Sequence, residues 1–191
     1  MNAKQDIKQK LLPVELRELV GYLDSLEERA DVGRLNELLG ENTATLESLR
    51  SFVEFGDKTY RRNLISAGKW HELLCICWRS GQRSPIHDHA QSTCGLKIIT
   101  GTATETLFES SDCGQIKAVG STDYTAGHIC TSQDADVHQV SNLQAKGTDL
   151  VTLHIYSPPI GCMDTYNLLG SEPEIYFPKN ANIVCEIGDC I

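Results

Sequence analysis

The stretch Gly81-Gln82-Arg83-Ser84-Pro85-Ile86-His87-Asp88-His89, followed by Cys94 and joined from far along the chain by His138, decides how this sequence is read. On an extended strand, residues two apart point to the same face, so the rings of His87 and His89 can reach one ion. His138 lies roughly 50 residues downstream, and a closed antiparallel sheet would supply it, because pairing sets distant strands side by side and alternate side chains enter one interior. Two solvated loop histidines and an unrelated third would be the plainer reading of an isolated His-x-His. The spacing around this one weighs against it.

Working outward, the segments after Trp70 are short, rich in Val, Ile, Thr and Tyr, and punctuated by Gly and Asp, as in antiparallel sheet proteins. They are Leu73 to Trp78, Gly95 to Phe108, Ile116 to Tyr124, His128 to Thr131 and Leu150 to Tyr156. Upstream, from Leu11 to about Arg50, the periodicity is helical. Leu16, Leu19, Val20, Leu23 and Leu26 recur at three- and four-residue steps, then Leu35, Leu38 and Leu39 do so before Gly40. Glu15, Glu18, Glu27 and Glu28 mark the solvated face. The expectation is one mainly-β domain over residues 1–191: an antiparallel β-sandwich barrel from about 67 to 191, with an N-terminal α-helical layer over about 1–66.

At 191 residues, with 40% hydrophobic and 23% charged content, the chain can bury a core of its own. A net charge of -9 argues against nucleic acid or an anionic membrane surface as partner, since both call for a basic patch. No apolar run approaches a membrane span, and the start Met1-Asn2-Ala3-Lys4-Gln5-Asp6-Ile7-Lys8 has no apolar core for a secretory signal. A cytoplasmic monomer is therefore expected. Its eight cysteines then read as reduced thiols, with Cys75 and Cys77 as small buried hydrophobes on one strand face.

The chain resembles the cupin family on two spacings. Gly81, His87, His89, position 94 and Gly101 fall on the first motif, and Gly127, His138 and Asn142 on the second. It departs in having Cys94 where the family places a carboxylate ligand, and Gln133 and Ala135 where the second motif has Pro and Gly. Within the cupins it is similar to the cysteine dioxygenases. That narrower match rests on Tyr60-Arg61-Arg62-Asn63, on Ile86-His87-Asp88-His89 with Cys94, on the stretch around His138, and on Leu153-His154-Ile155-Tyr156-Ser157-Pro158-Pro159. The resemblance implies a mononuclear Fe(II) on three histidines, O2 as co-substrate, and L-cysteine oxidised to cysteine sulfinic acid.

Imidazole also suits zinc, copper and nickel, so the ligand types alone do not select iron. A closed zinc site with Cys94 as fourth ligand is the alternative. Three neutral imidazoles would leave Fe(II) its full double charge and favour an anionic ligand such as a thiolate. The resemblance assigns Arg62 to the substrate's carboxylate, which suits a planar guanidinium fork, and brings Tyr60 into the substrate site, while Arg61 reads as solvent-facing. It also implies a thioether between Cys94 and Tyr156, with Tyr156, Cys94 and His154 serving catalysis. His154 lies two residues from Tyr156 on the same face and can hold its hydroxyl. His71 and His128 match no motif and read as structural or exposed. A dioxygenase of another small thiol acid, such as 3-mercaptopropionate, and a non-catalytic ligand-binding cupin remain the rival readings.

Overall fold

The computed structural model describes residues 12–89, 91–111, 115–133, 137–170 and 173–178. Leu11 and Ala135 fall outside them. A short 3-10 turn (Val14–Leu16) leads into helix α1 (Arg17–Asp24), and α2 (Val32–Glu41) follows. Among the described residues eleven strands come next: β1 (Arg61–Gly68), β2 (His71–Trp78), β3 (Ile86–His87), β4 (Thr93–Thr100), β5 (Thr102–Ser110), β6 (Ile116–Thr125), β7 (Ile129–Gln133), β8 (Val137–Ser141), β9 (Leu150–Ser157), β10 (Met163–Tyr166) and β11 (Glu174–Tyr176). They form two sheets, ordered β1-β2-β9-β4-β7 and β11-β10-β3-β8-β5-β6, and every neighbouring pair is antiparallel.

Alternation along the central strands explains the two cores. On β2, Leu74, Ile76 and Trp78 face between the sheets, where they meet Ile98, Ala103, Val140, Leu150 and Met163. The intervening Leu73, Cys75 and Cys77 face outward and join Leu16, Leu19, Leu23, Leu35 and Leu39 of the helical layer. Both faces of β2 and β9 are thus covered, and all their residues are buried. A strand covered on two sides reads as a continuous apolar run, as Leu73 to Trp78 does. Each fully buried leucine contributes about 1.5–3 kcal/mol.

Helix α2 is fastened at both ends. Asp31 caps its start, accepting from the Arg34 backbone N–H at 2.8 Å. At its other end the Lys97 ammonium, reaching up from β4, donates to the carbonyls of Leu39 and Asn42, which a helix terminus leaves without intrahelical partners. Close approach depends on Gly95, where a Cβ would come within 2.8 Å of Leu39.

Two expectations are corrected. The helical layer does not reach residue 66: the last helical turn ends at Phe52 and β1 opens at Arg61. Tyr60, just before this strand, and Arg62 within it face inward and carry no apolar alternation to read. The segment Gly95 to Phe108 is two strands that turn at Gly101, whose φ of +86° suits glycine and where a Cβ would stand 2.6 Å from the Asp149 carbonyl. Among the described residues no helix is long and apolar enough to cross a membrane, and Cys75, Cys77 and Cys94 are buried free thiols.

Candidate metal centre and its cavity

His87 ends the two-residue strand β3 and pairs directly with His138 of β8. His89 lies just past the strand end, and its ring meets the other two: centroids are 5.3 Å (His87–His89), 4.8 Å (His87–His138) and 4.6 Å (His89–His138) apart. All three are buried, and one nitrogen from each lies within 4.8 Å of the others. The Nε2 atoms of His89 and His138 stand 3.1 Å apart, a spacing two nitrogens can take as ligands at about 2.0–2.1 Å from one ion.

Outer contacts set which nitrogen faces inward. His87 Nδ1 donates to the Pro85 carbonyl at 3.0 Å, and His138 Nδ1 donates to Glu105 Oε1 at 2.6 Å. In a neutral ring with Nδ1 protonated, Nε2 carries the lone pair, the arrangement in which carboxylates and carbonyls orient metal-binding histidines. Burial, aided by the neighbouring His138, holds His87 down to about 3 and His89 to about 2, so both rings are neutral at ordinary pH. The bond from His138 keeps the Glu105 carboxyl below its usual range against the opposing effect of burial. The donor set therefore fits a divalent ion. Among the described residues the convergent ligand group is these three histidines alone. Cys94 is not part of it, which weighs against zinc closed by a fourth thiolate ligand.

The three rings line a cavity of about 150 Å³ between the sheets, shared with Tyr60, Arg62, Cys94, His154 and Tyr156. That leaves room for a small molecule beside the three rings. Cys94 and Tyr156 are directly opposite one another on β4 and β9, within the reach of cross-strand side chains. Burial pushes both the Cys94 thiol and the Tyr156 phenol well up, so both keep their protons. The Tyr156 hydroxyl lies 3.1 Å from His154 Nδ1 and is also hydrogen-bonded to Arg62. His154 is held neutral by burial. Its Nε2 lies 2.9 Å from Thr152 Oγ1, which accepts from Trp78 Nε1 at 3.0 Å.

Arg62 is buried, with Nη2 donating to Glu72 Oε1 at 2.8 Å. Burial pulls its pKa down, but Tyr156 and Glu72 outweigh that, so the guanidinium stays charged. Tyr60 stacks on Trp78 with centroids 4.4 Å apart. Arg61 turns outward to Glu54 at 3.0 Å. His71 is buried and structural, bonded to Ser66 at 3.1 Å, and the exposed His128 stacks on Tyr124. Glu72, Glu105 and Thr152 match none of the sequence motifs. Their signal was a polar side chain on an inward row: Glu72 before Leu74 and Ile76, Glu105 after Ala103, Thr152 after Leu150.

A family model described as cysteine dioxygenase type I matches residues 10–168. The cysteine dioxygenase type 1 of Rattus norvegicus is 31% identical over 160 residues, covering 78% of this chain and 77% of that one. Its namesake from Danio rerio is 28% identical over 162 residues, covering 81% and 80%. Among solved structures, a Klebsiella pneumoniae protein with a double-stranded β-helix domain superposes with a TM-score of 0.51 at 14% identity, covering 62% of this chain and 88% of that one. The architecture is the cupin-type double-stranded β-helix.

Proposed function

The chain belongs to the cysteine dioxygenase type I family, and from that membership and the cavity we propose that it is an Fe(II)-dependent dioxygenase converting L-cysteine to cysteine sulfinic acid. The observation that carries the reading is the convergence of His87, His89 and His138 in one cavity with a buried, charged Arg62. Iron, when bound by the three imidazoles, supplies the one-electron chemistry that lets dioxygen react with a thiolate. The balance needs no further reductant: both oxygen atoms join the substrate sulfur, which loses four electrons as dioxygen gains them.

The protein's part is placement. Arg62 takes the substrate carboxylate through its fork. Tyr60, stacked on Trp78, walls the substrate side. Tyr156 presents a protonated hydroxyl held by His154, which Thr152 and Trp78 hold in turn. A buried chain of this kind fixes orientation before the substrate arrives. The cross-strand pairing of Cys94 with Tyr156 supports a thioether between them, which would remove the remaining torsional freedom of the phenol.

Metal analysis joined to oxygen uptake with L-cysteine, 3-mercaptopropionate and cysteamine tests the assignment. Iron at one per chain, with uptake fastest on L-cysteine, is expected. Preference for 3-mercaptopropionate would move the substrate assignment, and no thiol-dependent uptake by the iron-loaded protein would refute the enzyme reading.

A further inference from the structure

Arg62 does not reach the cavity alone. Its partner Glu72 is one of the most enclosed charges in the described protein, with side-chain exposures of 7% for the arginine and 2% for the glutamate. A carboxylate so placed is costly unless paired, and an apolar residue would continue the inward row of Leu74, Ile76 and Trp78. Glu72 lies directly opposite Tyr156 on β9, which lies directly opposite Cys94 on β4. Arg62 is in register with Ile76 instead. Its side chain therefore runs along β2, past Leu74, to meet Glu72, and this course carries the guanidinium over Tyr156, 5.4 Å from the ring centre. Arg62 lines the cavity and Glu72 stands behind it.

We propose that Glu72 is a positioning residue that sets the direction of the Arg62 fork, and through it the preference for thiols that carry a carboxylate over thiols that do not. The inference rests on Arg62 being the carboxylate anchor. A guanidinium is planar with five N–H donors, so a bond at Nη2 orients the whole plane and leaves capacity for an incoming carboxylate. Two consequences of removing Glu72 have opposite signs. Loss of a negative charge would strengthen the bare attraction of Arg62 for any anion. Loss of the tether would let the fork swing, and a misplacement of about 1 Å in a positioning group costs about a hundredfold in rate. Placement dominates in the proposal.

The test uses iron-loaded Glu72→Gln and Glu72→Asp, compared with the unmodified protein in kcat/KM for L-cysteine and for cysteamine, with a crystal structure of Glu72→Gln. Glu72→Gln should lower the cysteine-to-cysteamine ratio by about tenfold or more, with cysteamine turnover and iron content unchanged and Arg62 displaced. Glu72→Asp, which keeps the charge one methylene shorter, should restore part of the ratio. Equal losses for both thiols, a ratio that holds or rises, or Arg62 in its original place would each overturn the proposal. Failure of the unmodified protein to oxidise L-cysteine would instead sink the dioxygenase reading, and the position of Arg62 in Glu72→Gln would still decide whether Glu72 positions it.

Discussion

Glu105→Gln should weaken the metal site without unfolding it. Glu105 accepts from His138 Nδ1 at 2.6 Å, shorter than the roughly 2.7–2.9 Å usual for a charge-assisted N–H···O bond. Glutamine can still accept from the ring but without the charge. Hydrogen bonds involving an ionised group contribute about 1.5–3 kcal/mol and neutral ones about 0.5–1.5, so the substitution costs His138 about 1–2 kcal/mol of orientation and basicity. At about 1.4 kcal/mol per decade that is roughly a 5- to 30-fold rise in the metal dissociation constant, overlapping the lower part of the roughly 10- to 100-fold range found for outer partners of metal-binding histidines. Competition against a chromophoric chelator, with ferrous ion under anaerobic conditions and zinc as a redox-inert stand-in, reads it directly. Glu109→Gln, on the exposed end of the same strand, is the control and should change nothing. A Glu105→Gln protein that binds both ions within twofold of the unmodified one would show that the contact does not serve metal binding.

Arg62→Ala should lower kcat/KM for L-cysteine by about a hundredfold or more, the worth of two charge-assisted hydrogen bonds, while iron content holds and Arg62→Lys restores only part. Equal turnover of L-cysteine and cysteamine by the unmodified protein would show that no carboxylate is read. Peptide mapping after incubation with iron, L-cysteine and oxygen should find a Cys94–Tyr156 pair lighter by two hydrogens, the C–S bond having formed as dioxygen takes them up. Cys94→Ser should abolish that species, and only unlinked peptides from the unmodified protein would refute the crosslink. Gly101→Ala should destabilise the fold by at least about 1–2 kcal/mol for the left-handed backbone alone, with the clash against the Asp149 carbonyl added. An unchanged urea midpoint would contradict that account of the β4–β5 turn.

The parts of the site legible in the sequence are those fixed by backbone geometry. His87 and His89 could be paired because residues two apart share a direction, and Gly81, Gly101 and Gly127 sit at φ values of +86°, +86° and +89°, where a side chain would be strained. The spacing between those glycines and the histidines therefore carries real constraint. The illegible parts are the side chains that hold the site from behind. Glu72, Glu105 and Thr152 act across strands, and nothing in the order of residues says that Glu72 will lie opposite Tyr156 or that Glu105 will meet His138. Strand β1 was hidden for a related reason: the inward positions where it opens are given to Tyr60, just before it, and to Arg62, so the apolar alternation that announces a strand is missing where the site needs polar groups.

The same displacement of apolar by polar residues has a direction in the fold. Strands β2, β9 and β4 are in register as Trp78 with Leu150, Ile76 with Thr152 and Ile98, Leu74 with His154 and Leu96, and Glu72 with Tyr156 and Cys94. Read in that order, the inward rows pass from wholly apolar to almost wholly polar along the barrel. One end supplies the dispersion and burial that hold the sheets together; the other gives up that contribution to hold hydrogen-bonded groups around a cavity. Such groups are tolerable inside a protein only when each is paired. Here the pairing is nearly continuous, from Trp78 through Thr152 and His154 to Tyr156, and from Tyr156 through Arg62 to Glu72. The polar end is thus a connected frame anchored in the apolar one at Trp78. A side chain such as Thr152, four strand positions from Tyr156 and bonded to the histidine between them, acts on the site by fixing what touches it.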